Sequence, residues 1–396
     1  MNNMRKSFSK LLLIALLITS QVKAQSLKNV IDKAFQNAEQ QSLLMAKKYE
    51  NQAGRLPKSF ENGKDVSSDS RWWCSGFFPG TLWYLYENNK NQEVLKYAKL
   101  YTDRVEREKY TTDNHDVGFM LYCSFGNGLR LTGEERYKEV LLTGAKSLAT
   151  RFDPQVGLIR SWDHKQEVWQ YPVIIDNLMN LELMLWAADY SKDENFRKIA
   201  ISHADKTMKY HFRPDYSSYH VVSYDRKSGV PHLKQTHQGA SDESAWSRGQ
   251  AWGLYGYTYL YRETKDQRYL EQAKNIANFL INHPQMPKDF IPYWDYNAPQ
   301  IPNTTRDASA ACIMASALVE LSDFVDAKLK EKYMAVVDTQ IRTLSSEEYT
   351  AKLGENGNFI LKHSTGALPF KSEIDAPLTY ADYYYLEALT RLKKRL

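Results

Sequence analysis

The feature that most constrains this chain is a turn that recurs between long helix-forming segments. Thr132-Gly133-Glu134-Glu135-Arg136-Tyr137, Ser191-Lys192-Asp193-Glu194-Asn195-Phe196 and Thr264-Lys265-Asp266-Gln267-Arg268-Tyr269 share one layout: a hydroxyl residue, an acid two positions on, and an aromatic three positions after that. The hydroxyls suit a cap, and the acids suit the positive end of a following helix. The anchors Tyr137, Phe196 and Tyr269 lie 59 and 73 residues apart. One αα-hairpin plus one long return loop accounts for that period.

Amphipathic or apolar segments recur along the whole chain, and no strand pattern stands out between them. The spacing predicts twelve helices, near 27–52, 77–88, 91–108, 115–132, 134–151, 174–190, 193–211, 245–263, 266–283, 307–325, 328–347 and 380–394. Six αα-hairpins of this kind point to an all-α fold, a closed double ring of helices or (α/α)6 barrel. An open αα solenoid satisfies the same pattern. Turns inside the hairpins are short, whereas the links between them, 52–76, 109–115, 152–173, 212–244, 284–306 and 348–379, are long and rich in aromatic, histidine and acidic residues. In a barrel these links collect on one rim, and long loops of this kind usually carry function. No Pro/Gly-rich linker divides the chain, so 25–396 is read as one domain.

The first 24 residues read as a removable export signal. Arg5, Lys6 and Lys10 precede a short apolar run from Leu11 to Ile18, and Val22 and Ala24 offer a cleavage site before Gln25. The run is too short to span a bilayer, and an exported, periplasmic protein is expected. The segment carries four cations and no acid, so the formal net charge of +5 falls to +1 once it is removed. A basic surface for nucleic acid is therefore not expected, nor is a membrane partner. Cys74, Cys123 and Cys312 are far apart in sequence and read as buried free thiols. A monomer or weak homo-oligomer is expected.

Polar residues cluster where the long links meet the next helix. Asp116 and Asp176 are 60 residues apart, close to the hairpin period. They would start neighbouring inner helices and face one cavity. Paired carboxylates are the usual equipment for cleaving glycosidic bonds. The competing reading makes each a helix N-cap. Asp176 sits between Val173-Ile174-Ile175 and Leu178-Met179, a setting that desolvates a carboxyl and fits it to act as a general acid. Asp307 and Asp382 read as caps or rim hydrogen-bonders. Trp246 offers a plane for stacking a sugar, and Arg248 a fork for a carboxylate. The 27 Tyr and 9 Trp fit the same wet, aromatic cleft. His115, His220, His232 and His237 match no metal-ligand spacing. There is no GxSxG, GxGxxG or P-loop, and no cofactor or metal is expected.

Taken together these blocks resemble the unsaturated glucuronyl hydrolases of glycoside hydrolase family 88. The matching stretches are Trp73-Cys74-Ser75-Gly76-Phe77-Phe78-Pro79-Gly80, His115-Asp116-Val117-Gly118-Phe119, Asp176-Asn177-Leu178-Met179-Asn180-Leu181, Tyr219-His220, Thr236-His237-Gln238-Gly239, Trp246-Ser247-Arg248-Gly249-Gln250-Ala251-Trp252 and Asp382-Tyr383-Tyr384-Tyr385-Leu386-Glu387-Ala388. They span nearly all of 25–396. The resemblance implies an (α/α)6 barrel and a substrate with a 4,5-unsaturated uronic acid at its non-reducing end. It also implies an unusual mechanism. Asp176 protonates C4 of the vinyl ether, water adds at C5, and the hemiketal opens to expel the remaining sugar. Asp116 holds sugar hydroxyls and tunes Asp176. Substrate contacts are implied at His115, His220, Gln238, Trp246 and Arg248, with Trp73 as a stacking platform. Streptococcal relatives that favour sulfated fragments carry serines and a lysine in a C-terminal loop. Here that loop holds Ala367 and Phe370 instead, with the lysine displaced.

Three rival readings stand beside this one. The related unsaturated rhamnogalacturonyl hydrolases take pectin fragments; the His220, Gln238, Trp246 and Arg248 blocks favour the glucuronyl family. A non-catalytic carbohydrate-binding αα-repeat would leave unsaturated uronates intact. A conventional inverting glycosidase would act on saturated sugars.

Overall fold

The computed structural model describes residues 26–396, so the export signal expected over 1–24 lies outside the described residues. Helix α1 (Leu27–Tyr49) leads to a hairpin of β1 (Leu56–Glu61) and β2 (Lys64–Ser68), then to α2 (Phe77–Asn89) and α3 (Gln92–Asp103). Helix α4 (Val117–Leu121) continues through a π turn (Tyr122–Gly126) into α5 (Asn127–Thr132), making one rod, and α6 (Glu135–Ala149) returns beside it. Two short strands, β3 (Phe152–Asp153) and β4 (Leu158–Ile159), precede β5 (Pro172–Ile174) and α7 (Asn177–Ser191). After α8 (Glu194–Tyr210) come β6 (Val221–Tyr224), β7 (Pro231–Gln235), α9 (Ser247–Thr264) and α10 (Gln267–Asn282). Helices α11 (Ala308–Leu321), α12 (Ala327–Leu344) and α13 (Thr379–Lys393) complete the order.

The rods α2, α4–α5, α7, α9, α11 and α13 pack each on the next, and α13 packs back on α2. That contact closes the ring and makes the fold an (α/α)6 barrel rather than an open solenoid. The outer helices α3, α6, α8, α10 and α12 each follow their inner partner in sequence. The sixth pair differs from the expected local hairpin. Its inner member is the last helix, α13, and its outer member is the first, α1.

Burial explains the two helix compositions. An inner helix touches two ring neighbours and an outer helix, so it must be apolar nearly all round. All residues of α11, ASAACIMASALVEL, are buried. The outer helix α10 buries only a stripe, including Tyr269, Ala273, Ile276, Ala277 and Leu280. The recurring turns work differently from the expected hydroxyl caps. The Thr132, Ser191 and Thr264 hydroxyls accept the backbone N–H of the acid two residues on, and so brace the turn. Asp193 and Asp266 then cap α8 and α10 through the N–H groups of Asn195 and Arg268. Glu134, one methylene longer, makes no cap bond. The residue at the bend is left-handed in each case, Gly133, Lys192 or Lys265.

The absence of strands expected from the pattern does not hold. Among the described residues there are seven short ones, and β5, β6 and β7 form an antiparallel sheet in the order β5-β6-β7. Its Pro172-Val173-Ile174 and Val221-Val222 segments are buried and apolar, too short for a two-residue alternation to show. The three cysteines are buried and unpaired.

The N-termini of the inner helices meet at one end of the barrel around an aromatic cluster. Trp73 contacts Phe77, Phe119 and Tyr380, and Trp252 contacts Phe119 and Tyr384. At the helix C-termini the charges neutralise one another. Arg262 pairs with Glu182 and Glu320, Arg391 pairs with Glu320, and Glu387 accepts hydrogen bonds from Tyr84, Tyr255 and Ser316.

Candidate active site

Asp116 and Asp176 occupy the N-cap positions of α4 and α7, two adjacent inner helices, yet neither side chain makes a cap hydrogen bond. Asp193, Asp266, Asp307 and Asp326, at the same position on other helices, all do. The two carboxylates are therefore not engaged in capping at this end of the barrel. Burial dominates both. It pushes the Asp176 carboxyl up to about 6, opposed by the positive charge of Arg248. Asp116 is pushed up to about 8 by burial, with the Asp176 charge adding to it and Arg151 opposing it.

The sheet sets what faces Asp176. Strand β5 runs directly into the start of α7, and Ile175 donates its N–H to the carbonyl of His220 at 3.1 Å. This pairing continues the β5–β6 ladder and places His220 beside Asp176. The Nδ1 of His220 accepts the backbone N–H groups of His237 and Gln238, at 3.0 and 3.1 Å. A nitrogen that accepts two donors carries no proton, so the neutral ring holds its hydrogen on Nε2. Burial keeps the ring neutral, holding its pKa well below the ordinary histidine value. Nε2 stands 3.8 Å from Oδ2 of Asp176. That is beyond direct hydrogen bonding, and neither atom has a protein partner.

His115 is built in a parallel way. Its Nε2 lies 3.4 Å from Oδ1 of Asp116, and its Nδ1 lies 3.4 Å from the Ser161 hydroxyl, which accepts the N–H of Ile174. Burial lowers its pKa to about 3, so it too is neutral.

Trp246 and Arg248 sit deeper than a free stacking plane and a free fork would. The Trp246 ring is buried, 4.5 Å from the His220 ring on one side and 4.5 Å from the Arg248 guanidinium on another. Arg248 donates from Nη1 to Asp307 at 3.0 Å and to the Thr365 carbonyl at 2.7 Å, and from Nη2 to the Gly366 carbonyl at 2.6 Å. Its Nε has no protein partner. Gln238 reaches the same Gly366 carbonyl at 3.4 Å and remains partly exposed. Trp73 is half-buried against Tyr380 at 4.8 Å. Asp307 caps α11 while holding Arg248, and Asp382 accepts the N–H groups of Ile360 and Leu361.

A row of aromatics that the sequence reading did not single out extends from His220 to the surface. His237 contacts Trp162, Trp169 and Phe370, and Trp162 stacks on His164. Phe370 is 50% exposed at the outer end. The signal for this row was the concentration of Trp and His in two loops, 152–173 and 212–244. Among the described residues no group of three or more His, Cys, Asp or Glu side chains is arranged to hold a metal ion.

This geometry has close relatives. The profile of Glycosyl Hydrolase Family 88 matches residues 48–394. A protein of Formosa agariphila named unsaturated glucuronyl hydrolase is 46% identical over 342 residues, 86% of this chain and 85% of the relative. A protein of the same name from Bacillus sp. strain GL1 is 32% identical over 340 residues, 84% of this chain and 89% of the relative. A solved structure described as an unsaturated glucuronyl hydrolase specific for heparin superposes with a TM-score of 0.90 at 49% identity, covering 93% of this chain and 98% of that one. The chain belongs to glycosyl hydrolase family 88 and is a glycoside hydrolase.

Proposed function

We propose that this enzyme releases a 4,5-unsaturated uronic acid from the non-reducing end of oligosaccharides that lyases leave from glycosaminoglycan-type chains, and that it does so outside the cytoplasm. The substrate class draws on the relatives' names, which include an unsaturated glucuronyl hydrolase specific for heparin and an unsaturated chondroitin disaccharide hydrolase of Streptococcus agalactiae. Export rests on the basic and apolar pattern of the first 24 residues.

The observation that carries the mechanism is the pair of aspartates at N-cap positions that cap nothing. Asp176, with its carboxyl raised to about 6, gives its proton to C4. The ring oxygen stabilises the cation that develops at C5. The Asp176 carboxylate then takes a proton from a water molecule as its oxygen bonds to C5. The hemiketal opens by breaking the bond between C5 and the ring oxygen, and collapse at C1 expels the remaining sugar. One carboxyl thus serves as acid and then as base. Asp116 and His115 hold sugar hydroxyls. His220 Nε2–H donates to the water or hydroxyl that lies between it and Asp176. Trp73 stacks on the sugar ring. Arg248, fixed by Asp307 and two carbonyls, supplies standing positive charge for the uronate carboxylate.

The test is a panel of lyase-generated disaccharides from heparin, chondroitin, hyaluronan, ulvan and gellan, followed by loss of the ultraviolet absorbance of the conjugated double bond. Turnover of at least one glycosaminoglycan member is expected. Failure on all of them refutes the reading.

A further inference from the structure

Asp116 stands where an N-cap residue stands, and something else does its capping. The first N–H groups of any helix lack intrahelical partners, and an N-cap side chain ordinarily accepts from the second or third of them. In α4 the third is the N–H of Phe119. It donates to the side-chain oxygen Oδ1 of Asn180, at 2.8 Å. Asn180 lies on α7, four residues after Asp176 and so on the same face of that helix. It is fully buried, and its Nδ2 has no protein partner.

The approach needed for this bond is built into the facing helix. A Cβ placed on Gly118 would lie 2.5 Å from the Asn180 Cα and 2.7 Å from its Oδ1. Any larger residue there drives the two helices apart. Glycine at position 118 and asparagine at position 180 therefore make one joint between the two helices that start with the paired aspartates.

We propose that Asn180 is a positioning residue: by capping the helix that Asp116 begins, it leaves the Asp116 carboxylate free of that helix and fixes its place relative to Asp176. The role rests on the reading of Asp116 and Asp176 as the working carboxyls. Without the Asn180 oxygen, the side chain at the N-cap position, Asp116, is the acceptor that an N3 N–H such as that of Phe119 ordinarily takes. Turning back to cap its own helix, Asp116 would leave the sugar-facing position. Its pKa would also fall, because a backbone N–H stabilises the charged form. The titratable groups that face Asp116 are His115 from its own segment, Asp176 from α7, Arg151 just after α6 and the Cys74 thiol before α2; none of them changes in the test, and the carboxyl added by Asn180→Asp can only raise the Asp116 pKa further.

The experiment compares Asn180→Leu, which keeps the branched shape and removes the acceptor, with Asn180→Asp, which keeps an acceptor oxygen. Crystal structures of the full chain and carbon-detected titration of the Asp116 carboxyl read the position directly, without substrate. In Asn180→Leu the Asp116 carboxylate is expected within hydrogen-bond distance of the Phe119 N–H, with a lowered pKa. In Asn180→Asp it stays in the cavity, and the pKa does not fall. With substrate, kcat falls about 10²-fold for the leucine variant, as a misplacement near 1 Å can cost, and KM changes little. The aspartate variant keeps kcat within a few-fold. Gly118→Ala serves if the leucine variant does not fold, and should lower kcat in the same way. The proposal is overturned if Asp116 keeps its place and pKa in Asn180→Leu, or if leucine and aspartate lower kcat equally. An absence of turnover in the unaltered enzyme would count against the proposed function, while the substrate-free measurements would still decide the role of Asn180.

Discussion

His220 presents Nε2 to Oδ2 of Asp176 at 3.8 Å, and two backbone N–H groups fix the tautomer that makes Nε2 the donor. The gap is too wide for a direct bond and admits one bridging oxygen. On the proposed mechanism, a neutral donor here steadies the Asp176 carboxylate once its proton has left. It does so without adding the positive charge that would lower the Asp176 pKa beforehand.

Replacing His220 with Ala should therefore lower kcat by about 10²-fold through lost orientation of Asp176 and water. KM should rise only a few-fold. Steady-state kinetics on an unsaturated disaccharide, with circular dichroism to show that the helices persist, checks this. An equal loss in kcat and in helical signal would point to a packing role instead.

The raised carboxyls give the pH dependence a definite sign. Asp176 must hold its proton to act as the acid, so activity should fall above about pH 6, tenfold per unit once the group is ionised. Stability should follow the same direction. Both carboxyls have folded-state values above the ordinary aspartate value, so the folded protein binds more protons than the unfolded chain from about pH 4 up to about 8. The contribution of these two carboxyls is therefore largest at the acid side of that window and declines as pH rises through it, whereas the buried neutral rings of His115 and His220 add a contribution of opposite slope below about pH 6.5. Asp176→Asn removes the cost of burying the charge, on the order of 2–3 kcal/mol at pH 8. It should raise Tm there while abolishing turnover, with the two proteins converging near pH 4. A thermal-shift series across this range measures it.

Asp307 and Arg248 form a fully buried pair that also ties down the loop carrying Thr365 and Gly366. Breaking a buried pair by removing one partner leaves an uncompensated charge. Asp307→Ala should destabilise by about 3–5 kcal/mol, seen as a lower denaturation midpoint. It should also raise KM, because the wall that Arg248 supports becomes loose.

Phe370 caps the aromatic row at 4.6 Å from His237 and is half exposed. On the proposed reading, this outer position would meet the sugar that is expelled rather than the uronate. Phe370→Ala should raise KM for disaccharides by about fivefold, the worth of one aromatic contact near 1 kcal/mol. Its effect on kcat should be small. Comparing disaccharides with different reducing-end sugars checks this.

How much of this was legible in the sequence varies by element. The inner and outer rods were readable because their burial differs: α11 is apolar throughout, whereas α10 carries one stripe. Ring closure was not fixed by pattern, since the contact of α13 with α2 joins residues 300 apart. The sheet escaped notice because Pro172–Ile174 and Val221–Tyr224 are too short to reveal a period, although it is this sheet that brings His220 to Asp176. The two aspartates could be singled out by matched position. Whether they capped could not, because that depends on which acceptor reaches the Phe119 N–H. Asn180 looks in sequence like any polar residue on a helix. Trp246 and Arg248 were legible as residues, but not their burial, which comes from the fold of the 364–373 loop over them.

On the proposed mechanism the double bond is hydrated, beginning with a proton from Asp176. The most direct measurement is turnover of an unsaturated disaccharide in D2O, followed by NMR and ultraviolet absorbance from the first turnovers. Deuterium is expected at C4, delivered to one face, with absorbance lost in step with release of the second sugar, and neither event with Asp176→Asn. Release of that sugar with the conjugated absorbance intact and C4 free of deuterium would contradict it, because the bond at the anomeric carbon would then have been cleaved by direct displacement.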